Sequence, residues 1–254
     1  MKDKILTAVV IAALLGLFPT VHAEGVEWGL RAGCNIGGTT PLGLPASIRS
    51  IDAFRLSASP MLGGDITLPL SLHSEHPTCH LQLTAGLRFE NKGMDAEITV
   101  KSYSMEIRKG NSQLSGLFTG HVKQQVNQWM LTLPLTLHLQ LSTFDFKIGP
   151  YLSLMLSKDF SGIAFDGYLR QGNPTGPKVE IGNKEGEWAT YDFSDDMRGL
   201  QWGLSLGVDW HLHPRFGLSA DLSWGMSGIF HSDFKTVEQT LYPIYGTVGL
   251  FYNL

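Results

Sequence analysis

From Leu200 to Leu212 every even position is apolar, with Leu200, Trp202, Leu204, Leu206, Val208, Trp210 and Leu212 set against Gln201, Gly203, Ser205, Gly207, Asp209 and His211. After His213-Pro214-Arg215 the alternation resumes with Phe216, Leu218, Ala220, Leu222, Trp224 and Met226 against Gly217, Ser219, Asp221, Ser223 and Gly225. A period of two is the signature of a strand, and two such strands on a short turn form an antiparallel hairpin. One face is continuously greasy; the other is small, polar and charged. A soluble barrel would turn the greasy face inward, but here it is too bulky for an interior and the opposite face is too small to cover it. The pattern predicts lipid outside and a filled polar bore inside.

The same alternation runs through the 254 residues. It marks strands at about 26–36, 61–72, 79–90, 129–141, 146–157, 200–212, 216–226 and 242–254. The leucines of 129–141 fall at every second position, which on a helix would scatter them round the circumference. Residues 91–125 keep local alternation and predict a hairpin beyond the membrane, turning near Lys109-Gly110-Asn111; residues 158–198 carry Gly, Pro and Asn clusters and predict a further hairpin around Asn183–Gly186. Successive connections are long, short, long, short, long, short, long. The expected fold is all-β: an eight-stranded antiparallel up-and-down transmembrane β-barrel with long extracellular loops and short periplasmic turns. Pro69, Pro134, Pro150 and Pro243 sit inside these strands, where each removes a ladder donor, and predict bulges or, at Gly149-Pro150, an interrupted pleat.

Composition bounds the function. Residues 1–23 read as a signal peptide, with Lys2 and Lys4, a largely apolar stretch Ile5–Phe18, and Val21-His22-Ala23 as the cleavage site. Without them 17 basic and 22 acidic residues remain, a net charge of −5, so no nucleic-acid partner is expected. Residues 24–254 form one expected barrel domain. No apolar run long enough for a membrane helix follows the leader, so the mature chain either spans with strands or is soluble. Cys34 and Cys79 enter an oxidising compartment but are expected on different strands, apart.

Several stretches, in order, resemble the PorT-like outer-membrane β-barrel family of Bacteroidetes. They are Gly29-Leu30-Arg31-Ala32-Gly33-Cys34-Asn35, Lys92-Gly93, Leu133-Pro134-Leu135, Gly149-Pro150-Tyr151, the Gly203/Gly207 spacing and the glycine-plus-aromatic last strand. Cys34 stands where an aliphatic residue is usual, and Leu254 ends the chain where an aromatic is common. The resemblance implies an outer-membrane location and, through the family's namesake, a link to a protein-secretion system.

Candidate site residues follow from the faces. The barrel-interior polar network is expected to comprise Glu27, Arg31, Asp65, Arg88, Glu90, Lys147, Asp209 and Asp221, packed as salt bridges in place of an apolar core. The membrane-interface aromatics form two girdles: Trp28, Phe144, Trp210, Phe216 and Tyr252 at the periplasmic end, and Phe89, Trp129, Trp202, Trp224 and Tyr242 at the outer end. His73, His76, Cys79 and His80 cluster at one turn and His211 and His213 at another, without the spacing of a standard metal site. Ser223 with Asp221, and Ser153 with His138, could be named as catalytic pairs, but no motif with its own catalytic geometry is present. No catalytic residue, metal or cofactor is assigned. Tyr103, Phe118, Trp188, Tyr191 and Phe193 are expected to be exposed on the outer loops, where binding would sit. The expected protein is a non-enzymatic outer-membrane component, envelope-structural, surface-binding or accessory to a secretion system. Its partners would be outer-membrane lipid, the barrel-assembly machinery and envelope or secretion-system proteins. A soluble periplasmic lipocalin-like ligand binder and a lipid-modifying barrel enzyme are the alternatives.

Overall fold

The computed structural model describes residues 25–43, 45–55, 57, 59–70, 79–109, 112–184, 186–234, 236–237 and 239–254. The leader, the turn bearing His73 and His76 and the tip at 110–111 lie outside the described residues. Among the described residues eleven strands follow one another: β1 (Glu27–Pro41), β2 (Ile48–Arg55), β3 (Ser59–Leu70), β4 (Cys79–Lys109), β5 (Ser112–Leu141), β6 (Phe144–Gln171), β7 (Lys178–Ile181), β8 (Ala189–Asp192), β9 (Leu200–His213), β10 (Phe216–Gly225) and β11 (Leu241–Asn253). Each of β1, β3, β4, β5, β6, β9, β10 and β11 pairs antiparallel with the next, and β11 returns to β1. Along this path the ladder has no free edge, so backbone groups are paired within the ring. The expected strands all appear, with boundaries shifted by a few residues at most except in β4, β5 and β6.

Those three are longer than a membrane requires. β4, β5 and β6 have 31, 30 and 28 residues, whereas about 9–11 suffice to cross. Their excess projects past the ring at its loop end, with Lys109 still paired to Ser112 at the tip. β2 adds to β4 at residues 95–100, β7 adds to β6, and β8 bridges β4 and β6. The hairpin expected around Asn183–Gly186 is not one. β7 and β8 do not pair with each other; each pairs with β6, because β6 turns back at Gly172 and lays β7 alongside itself. The projection bends at one level. The register shifts between Val100 and Tyr103 and between Thr119 and His121, where Ser102 and Asp166 adopt positive φ of 53° and 46°. Two residues against one is the mark of a bulge, which kinks the strand.

The prolines do not behave as expected. No register shift falls at Pro69, Pro134, Pro150 or Pro243, and the alternation of burial passes through Gly149-Pro150 unbroken. The ladder instead skips a pair or two beside Pro134 and Pro150 and resumes in the same register. The bulge on β6 falls further along, where Met155 faces Met130 and Ser157 faces Trp129, which leaves Ser157 exposed instead of inward.

The buried residues divide by position along the strands. Within the ring they are mostly polar, with Arg31, Asn35, Asp65, Glu90, Thr132, His138, Lys147, Ser153 and Asp209 beside Met61, Tyr151, Tyr245 and Phe251. In the projection they are apolar, with Val100, Ile107, Phe118, Val126, Phe160, Leu169, Met197 and Ile229 in one cluster. Leucine and tryptophan from the ring point outward, and Leu62, Trp202, Leu206 and Leu250 are each half exposed or more. A ring with its polar side in and its apolar side out is built for a hydrocarbon surround; the projection, with its apolar side in, is built for water.

Candidate functional site

The charged interior of the ring depends on glycine. In the register, Arg31 faces Gly63, Asp65 faces Gly29 and Gly86, Arg88 faces Gly63, and both Lys147 and Asp221 face Gly207. A Cβ at Gly63 would stand 2.5 Å from Arg88 Cδ, and one at Gly86 would stand 2.5 Å from Asp65 Oδ1. The long charged side chains lie across positions where the neighbouring strand has none.

In that space Arg31 bridges two carboxylates. It donates from Nη1 and Nη2 to Asp209 at 2.9 and 2.6 Å and from Nε to Asp65. Asp65 also contacts Arg88 at 2.6 Å. Lys147 lies 2.6 Å from Asp209 and 2.7 Å from Asp221. Three cations thus meet three carboxylates. Seven of the eight residues expected in the network lie in the interior; the exception is Glu27, which is exposed at the turn-end rim. Its strand begins there, so the inward direction at Glu27 opens into solvent.

A second layer lies nearer the loop end. Glu90 accepts from Asn35 Nδ2 at 2.8 Å and from the Thr132 hydroxyl at 2.6 Å, and lies 3.4 Å from Lys92. Thr247 donates to Asn35 Oδ1 at 2.6 Å. Lys92 sits over the rings of Tyr151 and Tyr245, 5.3 and 5.5 Å from their centroids. A cavity of about 80 Å³ separates the layers, lined by Arg31, Arg88, Glu90, Lys92 and Tyr151 among others. It has room for a few water molecules. At the turn end His138 joins Asp145 through Nδ1 at 2.7 Å and the Thr136 hydroxyl through Nε2 at 2.8 Å. A wider hollow of about 500 Å³ opens below them. Lys92 extends the inward parity of Arg88 on β4, Asp145 that of Lys147 on β6, and His138 that of Thr132 and Thr136 on β5; that parity is the signal that could have placed them in the network.

Neither nominated catalytic pair forms. Ser153 bonds Thr132, while His138 bonds Asp145 and Thr136. Ser223 donates to the Tyr245 carbonyl, and Asp221 pairs with Lys147. His211 packs edge-on to Phe251 and His213 stacks on Phe216. Cys34 is free and exposed.

The aromatic residues form two bands on the outer surface. Phe144 stacks near Trp210 at 6.1 Å, and Phe216 and Leu30 both pair with Tyr252. At the other level Phe89 stacks on Trp129 at 5.0 Å, while Trp202 faces Leu152 and Trp224 faces Ile244. Trp202 to Trp210 on β9 and Phe216 to Trp224 on β10 are both eight steps. Eight steps are roughly 26 Å of strand, or about 20 Å of height at the usual tilt of about 40°.

The projection reverses one expectation. Phe118, Tyr191 and Phe193 are buried, not exposed. Phe160, Tyr191, Phe193, Phe230 and Phe234 pack ring against ring, Phe160 and Phe230 edge-on at 4.8 Å. Tyr191 donates to the Lys123 carbonyl at 3.0 Å, and burial holds its hydroxyl well above its usual value. Three of the five aromatics expected on a binding rim thus belong to the core that shapes it, while Tyr103 and Trp188 are half-buried. On its outside, Asp52 of β2 accepts from the hydroxyls of Thr99 and Ser50, which hold its carboxyl below the usual range.

With this geometry in hand, comparison with known proteins is informative on the family. A model of the outer membrane protein beta-barrel domain matches residues 19–231. The chain belongs to that family. It is accordingly an outer-membrane β-barrel protein, and the strand ring is its barrel. Among solved structures the barrel is similar to Neisserial surface protein A (NspA), at 9% identity and a TM-score of 0.33 over 91% of this chain and 98% of that one. It is also similar to Ail, the attachment invasion locus protein of Yersinia pestis, at 8% identity and a TM-score of 0.30 over 90% and 97%. No curated protein matches in sequence.

Proposed function

We propose that this chain is a non-enzymatic integral outer-membrane protein whose barrel, eight-stranded and up-and-down, is a rigid stem for a folded extracellular cap that binds at the cell surface. The observation that carries this reading is the inversion of the core: charged and hydrogen-bonded inside the stem, aromatic and aliphatic inside the cap. A charged plug with about 80 Å³ of free space argues against a conducting pore. A cap with its own apolar core holds its outer surface in one shape, as a binding surface requires. The stem's partners are outer-membrane lipid, with the two aromatic bands at the interfaces, and the barrel-assembly machinery. The cap's partner is an envelope or extracellular component, and the PorT-like stretches favour a secretion-system protein.

The test is membrane fractionation with unboiled and boiled electrophoresis, followed by pull-down through a tagged cap. Detergent-dependent extraction, a heat-dependent mobility shift and a cap-dependent partner support the reading. Release by salt alone would point to a soluble binder. Hydrolysis of lipid that is lost on changing one inward Ser or His, with folding intact, would point to an enzyme.

A further inference from the structure

At the turn end of the bore one carboxylate is left over. Arg31, Arg88 and Lys147 balance Asp65, Asp209 and Asp221, and Lys92 balances Glu90. Among the described residues Asp145 has no Lys or Arg paired with it, and its ion-pair partner is the imidazole of His138. Its side chain is 92% buried, and its Oδ1 makes no hydrogen bond among the described residues. Leaving a buried carboxylate oxygen without a donor is costly, so a group outside these described contacts, such as a water or an ion, is expected to meet it.

The carboxylate belongs to a potential ligand set. His138 on β5, Asp145 on β6 and Asp209 on β9 each offer one atom, all within 4.8 Å of one another. The three strands are consecutive in the sheet, and Asp145 and Asp209 are register partners. We propose that His138, Asp145 and Asp209 form a binding site for one divalent transition-metal ion of the Zn²⁺ type, entered from the turn-end hollow. An outer hydrogen bond that would orient the histidine is already in place. A ligating histidine ordinarily donates its other ring N–H to a nearby oxygen, which fixes its tautomer. Here Nε2 lies 2.8 Å from the Thr136 hydroxyl, so Nδ1, bonded to Asp145 at 2.7 Å, is the nitrogen that would ligate once its proton moves to Nε2 and the ion takes the place of that bond. Histidine with two carboxylates suits Zn²⁺, and water from the hollow of about 500 Å³ completes the shell. Asp209 is the weakest member, because Arg31 and Lys147 already hold both of its oxygens. Asp145 and His138 therefore carry most of the affinity. The sequence hides the site because Asp209 is far from the other two in the chain and Asp145 sits beside a turn, at the start of β6.

The experiment titrates Zn²⁺ alone into the full mature chain in detergent, by calorimetry, with Cys34→Ser as the background. One ion per chain is expected. Asp145→Asn and His138→Gln should each weaken binding at least tenfold while the heat-dependent gel shift persists. A variant lacking the turn ligands, His73→Asn with His76→Asn, Cys79→Ser and His80→Asn, should still bind. Loss of binding in that variant, with Asp145→Asn binding normally, would overturn the proposal. X-ray absorption at the zinc edge on the unaltered bore needs no folded variant. A nitrogen and oxygen shell with one imidazole supports the site; sulfur or several imidazoles, or no binding at all, refutes it.

Discussion

Replacing Arg31 with Met should do more damage than the removal of any lipid-facing leucine. Arg31 is buried and touches two carboxylates, donating twice to Asp209 and once to Asp65. Methionine fills much of the volume but leaves two cations, Arg88 and Lys147, to face Asp65, Asp209 and Asp221. Breaking one side of a buried ion pair costs about 3–5 kcal/mol, because the remaining charge stays desolvated. Arg88 and Lys147 still hold the two orphans, so the low end applies, about 3 kcal/mol, or on the order of a hundredfold in the folding equilibrium. The double variant Arg31→Met/Asp209→Asn restores the balance of charge. It should cost less than the sum of the two single changes by about 1–3 kcal/mol. The assay is urea unfolding of the mature chain in thin lipid vesicles, read by tryptophan fluorescence and by gel mobility. A single-variant loss below about 1 kcal/mol, or strict additivity, would mean that the interior is wet and the pairs are ornamental.

Other consequences test other parts of the molecule. Leu206→Arg, midway between the aromatic bands and half exposed, should cost about 2–4 kcal/mol in bilayer unfolding, against about 0–1 for Leu212→Arg at the rim; equal costs would contradict the lipid assignment. Phe160→Ala, fully within the cap core, should cost about 3–5 kcal/mol of local stability, seen as protease cleavage within residues 91–198 while the gel shift is unchanged. Asp52 has its pKa depressed from 3.8 by the Thr99 and Ser50 hydroxyls, so its contribution is present above about pH 4 and lost as pH falls through the lower folded value. Hydrogen exchange of β2 relative to β3 should therefore rise on acidification below pH 4, and Asp52→Asn should remove that dependence.

The ring was legible because period-two alternation writes both faces of a strand into the chain. Arg31, Asp65, Arg88, Lys147, Asp209 and Asp221 needed only parity to be placed. Their partners were less visible: nothing local says that Arg31 meets Asp209, since pairing depends on the circuit of strands closing. The cap was misread for a related reason. Beyond the membrane the rule for burial reverses, so Phe118, Tyr191 and Phe193 look like an exposed rim when judged as loop residues. The projecting hairpin of 91–125 was legible, and β4 and β5 pair out to Lys109 and Ser112; the continuation of β6 to Gln171 was not, because no turn signal separates it from its membrane part. The prolines misled by chemistry: a missing N–H opens a gap in the ladder, but paired strands on the other side keep the register.

The central claim is that the leucine and tryptophan face of each strand meets hydrocarbon while the charged face fills the bore. With Cys34→Ser and Cys79→Ser as background, nitroxide labels on cysteines placed singly at positions 204 to 209 of β9 can be read in bilayers by collision with oxygen and with a water-soluble nickel complex. The account predicts high oxygen collision at 204, 206 and 208, and low collision with both reagents at 205, 207 and 209. The opposite phase, or nickel access at 204 and 206, would contradict it.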